Sequence, residues 1–152
     1  PAKNWLVALD WMRIEYTGIK SVSNPSTNRA PLGSADGPGF GWQDVDVWKL
    51  GVQYAASPVL TLRAGYNRSD NPITPRDVTF NILAPGVIKD HLSVGFTYAL
   101  DKDSEITMAY THGFDNSVEG PSFFNAFAPG MGGTEKIEMY QNSLGIAWAK
   151  RW

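Results

Sequence analysis

Few residues of this chain have the types and spacing that proton-transfer or nucleophilic chemistry requires. The 152 residues include two histidines and no cysteine, so the sequence excludes a thiol nucleophile, a disulfide framework and a zinc knuckle. His91 and Ser93 share one face of a candidate strand, and a serine hydrolase needs a histidine base and a serine nucleophile close together. A spacing of two residues along one strand does not align the pair for proton transfer, however. We therefore expect no catalytic residues and no enzymatic activity, with a lipid hydrolase as the least favoured alternative.

Two further patterns resemble ligand-binding loops without meeting their requirements. Asp101, Asp103 and Glu105 alternate like the acidic residues of calcium loops, but the glycine at the sixth position and the distal glutamate are missing. The glycine-rich run 130–133 neither follows a strand nor opens a helix with Lys and Ser or Thr, as a phosphate-binding loop would. A net charge of −2 without a basic cluster gives no electrostatic basis for binding nucleic acid. We therefore expect no metal, no cofactor and no nucleic-acid partner.

Two basic residues are candidates for binding an acidic ligand. Lys49 and Arg63 fall on the same predicted strand face as Asp10 and Glu105. Inside an enclosed fold, such groups most often pair with one another. Next to an apolar pocket, either base would instead hold a carboxylate through a charge-assisted hydrogen bond. Both interpretations stay open at the level of the sequence.

Apolar side chains also cluster in segments that lie between the predicted strands. Two interpretations are open: the side chains pack the loops against one another, or they form a hydrophobic surface on which an apolar ligand lands. The candidate ligand-binding residues in these clusters are Phe80, Ile82, Leu83, Phe123, Phe124 and Phe127.

The elements that must position these residues are β-strands. The run 92–100 places a large apolar residue at every even position and a small or polar residue at every odd position, which is typical of a strand with one apolar face. Similar alternation recurs along the chain and predicts an all-β fold of about six strands, with short turns near Ser57 and Lys102 and long loops elsewhere. The strands are predicted over 4–16, 44–56, 59–68, 91–100, 105–112 and 140–152, and the long loops over 17–43, 69–90 and 113–139.

The composition of the two strand faces indicates a membrane-spanning sheet. The face opposite the apolar one is rich in Gly and Ala, which make a poor solubilising surface. Aromatic residues make up 12% of the chain and charged residues 18%, and Tyr and Trp fall near strand ends, where amphipathic rings meet lipid headgroups. Short turns on one side and long loops on the other are typical of antiparallel up-and-down transmembrane β-barrels. The alternative is a soluble β-sandwich or lipocalin-like barrel, whose strands also alternate.

One stretch of the sequence is similar to a known family. A strand that ends in Gly-Tyr-Asn (65–67) leads into an Asn-Pro-Ile turn (71–73), then a loop with Asn-Ile-Leu-Ala-Pro-Gly-Val (81–87) and a strand that begins His-Leu (91–92). This order resembles the C-terminal part of the FadL/TodX family, outer-membrane transporters of long-chain fatty acids and other hydrophobic compounds. Flanking segments agree less distinctively at 47–54, 109–112 and 145–148.

The resemblance implies a fold and a location in the bacterial outer membrane. The family's barrel has fourteen strands with an N-terminal plug inside it, so this chain looks like the last six strands, a partial barrel. An unclosed sheet edge in lipid leaves backbone groups unsatisfied, so we expect the chain to need missing barrel strands or other subunits. The family's orientation implies that the turns near Ser57 and Lys102 face the periplasm and the long loops lie outside the cell. It also implies that Trp152 is a barrel-terminal aromatic residue.

The resemblance implies a function as well. It indicates passive transport of long-chain fatty acids or other hydrophobic compounds across the outer membrane, with membrane lipid and a hydrophobic small molecule as partners. The family's best-known ligand contacts lie in segments outside the match, so the resemblance transfers no binding residue. The alternative from a different class is a structural or binding barrel piece that assembles with other chains.

Overall fold

The computed structural model describes residues 4–151, whose strands form a single antiparallel sheet. The strand order β1-β2-β3-β4-β5-β6 is that of an uninterrupted meander, so each strand pairs with its neighbours in sequence. The predicted all-β, up-and-down fold of about six strands is confirmed. Trp152 lies outside the described residues. The strands are β1 Trp5–Ile14, β2 Val45–Ser57, β3 Leu60–Ser69, β4 Asp90–Ala99, β5 Ser104–Pro121 and β6 Thr134–Lys150.

The long connections between strands contain short helical segments. A 3-10 turn at Tyr16–Gly18 and the helix α1 at Lys20–Ser23 follow β1. A 3-10 turn at Pro75–Asp77 continues into the helix α2 at Val78–Asn81 between β3 and β4, and a further 3-10 turn at Phe123–Ala126 separates β5 from β6. Across residues 4–151, no helix has the length and apolar character needed to cross a membrane.

The last two strands are longer than the sequence predicts. The sequence predicts a loop over 113–139, whereas β5 continues to Pro121 and β6 begins at Thr134. A register shift between Gly113 and Asn116 interrupts the pairing, which then resumes and continues to the end of β5. Most residues of this extension are polar, so the apolar alternation that marks the other strands is weak here. The connection that remains between the two strands spans only 122–133.

The two faces of the sheet differ in the way that the sequence predicts. On β4, Leu92 and Val94 are 44% and 49% exposed on what we call the outer face, whereas Ser93 between them lies on the opposite, inner face. A soluble sandwich would bury its apolar face against a second layer, so this exposed apolar band is a lipid-facing surface. Other large apolar residues exposed on the outer face are Trp5, Val7, Leu9, Trp11, Trp48, Leu50, Leu62, Leu144, Ile146 and Trp148.

The long loops pack together and form a small core of their own. Val78 and Val87 are fully buried, and Ile73 is nearly so. Ile137 from the β6 extension joins them, and Trp42 from the first long loop packs against the group. The loops are therefore a packed layer at one end of the sheet, able to hold side chains in fixed positions.

Candidate functional site

Lys49 lies on the inner face of β2, in a polar row that crosses four strands. The register places Asp10 of β1 opposite Lys49 on one side and Asn67 of β3 opposite it on the other, with His91 of β4 beyond Asn67. Lys49 Nζ lies 3.6 Å from Asp10 Oδ2, and the two side chains are 45% and 63% exposed. This separation exceeds the roughly 2.8 Å of a charge-assisted hydrogen bond, and exposed ion pairs contribute little stability. The ammonium group is therefore open to a competing carboxylate.

A cavity of about 290 Å³ opens on the inner face beside Lys49. One side is formed by side chains of β1, β2 and β3, and the other by the first two long loops. Apolar and aromatic groups predominate, so the cavity suits an apolar ligand body with one polar end near the ammonium group. The lining residues are Met12, Ile14, Tyr16, Trp42, Val45, Val47, Lys49, Asn67, Ser69, Asp70, Pro72 and Gly86.

Arg63, the second basic candidate, lies outside this cavity on the inner face of β3. Its Nε donates a hydrogen bond to Gln53 Oε1 at 2.9 Å, and its Nη1 donates to Thr97 Oγ1 at 2.7 Å. Within the described part of the chain, no carboxylate lies in ion-pair distance of Arg63, although the sequence places Glu105 on the same face. Neutral partners thus fix the guanidinium group without neutralising its charge.

Phe123 is the centre of an aromatic cluster in the loops. Its ring centroid lies 5.6 Å from that of Phe80, 6.3 Å from that of Phe124 and 5.3 Å from that of Phe127. Phe124 and Phe127 nevertheless remain 60% and 74% exposed. The cluster therefore packs two loops together and also presents an apolar surface to solvent. The remaining apolar candidates are exposed at Ile82 and Leu83.

Asp77 organises the loops, and the sequence analysis did not identify it. Its buried carboxylate accepts hydrogen bonds from the Ser26 N–H at 2.8 Å, the Thr74 hydroxyl at 2.7 Å and Arg76 Nη2 at 2.7 Å. Burial by itself would raise the pKa of Asp77, but the hydrogen bonds from Arg76, Ser26 and Thr74 together lower it below the usual value. The sequence indicates the start of a helical turn here, because a Pro stands at position 75. It gives no signal that Asp77 binds Ser26, which lies 51 residues earlier in the chain.

Other patterns noted in the sequence form ordinary structural contacts. Asp101 accepts hydrogen bonds from the Asp103 N–H and the Ser104 hydroxyl, which close the turn between β4 and β5. Ser93 Oγ lies 2.8 Å from Thr111 Oγ1, so its hydrogen-bond partner is a hydroxyl group. Among residues 4–151, His, Cys, Asp and Glu side chains form no group of three that would hold a metal ion. The arrangement is suited to binding: apolar surfaces with a few fixed charges.

The architecture defines a class of protein. Its strands form an antiparallel meander with an apolar band outside, mostly small and polar side chains inside except around the cavity, and packed loops at one end. This is the construction of one segment of a transmembrane β-barrel. The family model of the outer membrane protein transport proteins (OMPP1/FadL/TodX) matches residues 1–126. The chain belongs to this family and is an outer-membrane protein, as the resemblance in the sequence indicates.

Solved structures that share the fold include those of a hydrocarbon channel and a toluene transporter. The TodX monoaromatic hydrocarbon channel deltaS2 mutant is 24% identical with a TM-score of 0.61, and the match covers 99% of this chain and 32% of that one. The Ralstonia pickettii toluene transporter TbuX is 14% identical with a TM-score of 0.54, covering 97% of this chain and 30% of that one. The chain thus spans about a third of the length of each and forms a partial barrel. No curated protein matches the sequence.

Proposed function

We propose that this chain forms part of an outer-membrane barrel through which hydrophobic compounds, long-chain fatty acids among them, pass by diffusion. The observation that supports the proposal most directly is the apolar cavity of about 290 Å³ on the inner face. The cavity lies beneath the loop layer, on the side of the wall away from lipid. A molecule that leaves the outside medium would there exchange water for Val45, Val47 and Trp42.

The polar end of the cavity supports a carboxylate-bearing substrate. Lys49 borders the cavity, and its ion pair with Asp10 is long and exposed. A bound carboxylate would compete with Asp10 for the ammonium group at little cost, because such exposed pairs contribute roughly 0–1 kcal/mol. The proposed roles are therefore charge pairing by Lys49 and apolar contact by the residues around it.

A second candidate substrate is a neutral aromatic hydrocarbon. It is favoured by the names of the two structural neighbours, a monoaromatic hydrocarbon channel and a toluene transporter. A neutral ring would use the apolar lining of the same cavity, and the Lys49–Asp10 pair would stay intact. The two substrates therefore differ in one measurable respect, which is their dependence on Lys49.

We propose that the exposed aromatic cluster of the loops makes the first contact with substrate. The side chains of Phe124 and Phe127 are exposed to solvent. Ile82 and Leu83, which follow Phe80 closely in the sequence, add further exposed apolar surface. Phe80 itself packs against Phe123. Arg63, away from the cavity, is proposed as a later contact for an acidic group on the inner wall. Each of these roles is open to mutation without disturbing the cavity lining.

The test measures uptake of labelled oleate and of labelled toluene by cells that produce the complete barrel. If the substrate is a fatty acid, Lys49→Met lowers oleate uptake by about five- to tenfold and leaves toluene uptake unchanged, because one charge-assisted contact is lost. Asp10→Asn removes the competing carboxylate and is expected to act in the opposite direction. Lys102→Met, in the short turn at the other end of the sheet, is the matched control.

The outcomes separate the alternatives. Toluene uptake that is independent of Lys49, with no uptake of oleate, selects the hydrocarbon. Uptake of neither compound above an empty vector contradicts transport and leaves a structural or binding role. Equal effects of Lys49→Met and Lys102→Met would mean that the Lys49 charge has no specific role.

A further inference from the structure

A second cavity, separate from the one beside Lys49, lies between two of the long loops. Its volume is about 410 Å³, within the range of small-molecule sites. One wall belongs to the first long loop and the other to the connection between β5 and β6. The lining residues are Thr27, Asn28 and Arg29 on the first wall, and Phe123, Ala126 and Phe127 on the second. We call this space the outer cleft.

Both walls of the outer cleft are attached to the same short helical segment, 75–81. The first wall follows Ser26, whose N–H donates to the Asp77 carboxylate at 2.8 Å. The second wall begins at Phe123, whose N–H donates to Thr79 Oγ1 at 2.8 Å and whose ring packs edge-on against Phe80. We call the segment 75–81 the hub. Because the hub holds both walls, the cleft is formed before any ligand arrives, which lowers the entropy cost of binding.

The two walls have complementary chemistry. Phe123 and Phe127 supply aromatic faces, and Phe127 remains 74% exposed. Arg29 on the other wall has no hydrogen-bond or ion-pair partner within residues 4–151. Two other cations of the loop layer differ in this respect, since Lys20 pairs with Asp36 at 3.5 Å and Arg76 with Asp77 at 2.7 Å. An unpaired guanidinium group beside apolar rings matches a ligand with an acidic head and an apolar body.

We propose that the outer cleft is a binding site for hydrophobic carboxylates, in which Arg29 binds the carboxylate and the rings of Phe123 and Phe127 contact the apolar part. This inference rests on the proposed function and extends it, because it assigns the acidic substrates a site of their own outside the inner cavity. A neutral hydrocarbon would contact the rings only and gain nothing from Arg29. The cleft therefore discriminates between the two candidate substrates before either reaches Lys49.

The test is a binding titration on the complete barrel in detergent, with a polarity-sensitive fluorophore on Pro129→Cys. This position lies two residues beyond Phe127, and the chain has no cysteine of its own; any elsewhere in the barrel are replaced by serine. Oleate is compared with oleyl alcohol, which has the same chain without the charge. Arg29→Gln is expected to weaken oleate binding by about five- to tenfold and to change oleyl alcohol binding by less than about twofold.

Control variants separate the charge and the rings from general effects. Phe127→Ser is expected to weaken both ligands, whereas Leu32→Ser, a comparably exposed apolar residue of the first long loop, leaves both unchanged. Lys89→Gln removes a cation from the loop layer outside the cleft and is expected to leave oleate binding unchanged. The inference is wrong if the fluorophore shows no saturable response. It is also wrong if Arg29→Gln affects oleate and oleyl alcohol equally or leaves oleate unaffected.

Parallel uptake measurements distinguish a failure of this site from a failure of the proposed function. A barrel that binds oleate at the label but does not transport it contradicts transport and keeps the outer cleft. A barrel that transports oleate while the label never responds keeps transport and eliminates the outer cleft.

Discussion

At the scale of single residues, the loop layer depends on one buried charge. Asp77 is fully buried, yet its pKa is held below the usual value because Arg76, Ser26 and Thr74 all donate hydrogen bonds to the ionised form. Removal of the charge would leave the N–H of Ser26 with a weaker acceptor in a place that water does not reach. We infer that Asp77 fixes the geometry of the outer cleft through the backbone at residue 26.

The first prediction concerns the pH dependence of this contact. A carboxyl group with a lowered pKa in the folded state stabilises the loops above its ordinary pKa of about 3.9, and this contribution disappears as the pH falls through the folded value. We expect the amides of the first long loop to exchange faster below about pH 4, after correction for intrinsic exchange. Hydrogen–deuterium exchange read by mass spectrometry measures this directly.

Asp77→Asn supplies the control for the pH prediction. It is expected to weaken the loop layer by about 1–3 kcal/mol at neutral pH, because charge-assisted hydrogen bonds become neutral ones. Its exchange rates are expected to vary much less with pH in the acid range than those of the unaltered protein. Unchanged exchange in Asp77→Asn at neutral pH would show that the carboxylate does not hold the loops.

Some of the candidate residues can be found from the local sequence pattern, and others only from contacts between distant parts of the chain. Alternation with a period of two places Lys49 and Arg63 on the inner face, because a strand's register determines the face of every side chain. The sequence does not indicate Asp77 or Arg29 as candidates, because their roles arise from contacts between loops that are far apart in the chain. No spacing rule relates residue 26 to residue 77 before the loops have packed.

At the scale of elements, the sequence of a strand predicts the environment of each side chain wherever one face of the strand contacts lipid. Val94 lies near the middle of β4 on the outer face, and Ser93 beside it lies on the inner face. We predict that Val94→Arg destabilises the barrel in bilayers by about 2–4 kcal/mol, as a cation near the bilayer midplane does. Ser93→Arg places the same charge in the lumen and is expected to cost much less.

The measurement is the folded fraction of each variant in lipid vesicles along a urea titration. A larger loss for Ser93→Arg than for Val94→Arg would reverse the assignment of the two faces. Because the variants differ by one position in the same strand, local helix or loop effects do not enter the comparison.

The paired extension of β5 and β6 shows where pattern analysis is insufficient. Residues 116–121 pair with 134–139 although their polarity does not alternate clearly. The hydrogen bonds of the ladder and the packing of Val118 and Ile137 against the loop core stabilise this hairpin. Both are tertiary effects, which override local propensity and are absent from a single sequence window.

Gly120, within this extension, provides the third prediction. A Cβ at this position would overlap the backbone carbonyl of Pro75, so the hub 75–81 packs directly on the strand backbone. Gly120→Ala is expected to displace the hub at a cost of about 1–3 kcal/mol, typical of overpacking. Trypsin cleavage after Arg76 in the folded barrel should accelerate by about fivefold or more.

Gly51→Ala is the matched control for Gly120→Ala. It is also a strand glycine, but a Cβ there meets no atom within 4 Å. Its cleavage rate should equal that of the unaltered protein. Equal rates for all three proteins would mean that the hub does not depend on close approach to β5.

At the scale of the whole molecule, the sheet has two free edges. Within residues 4–151, β1 pairs with β2 alone and β6 pairs with β5 alone, so one side of each edge strand presents unpaired backbone N–H and C=O groups. In the hydrocarbon of a membrane, each such group costs several kcal/mol. The match to about a third of TodX and of TbuX agrees with a partial barrel.

The last prediction follows from these edges. Residues 1–152 produced alone and refolded with detergent or lipid are not expected to yield a heat-modifiable monomer, whereas the complete barrel is expected to migrate differently in gels before and after boiling. The reason is that the ladder groups of β1 and β6 find partners only when further strands close the sheet. A heat-modifiable species at a multiple of the chain's mass would show that copies of the chain supply those strands to one another. A heat-modifiable monomer would contradict the prediction, because β1 and β6 would then have to satisfy their edges within the six-stranded sheet.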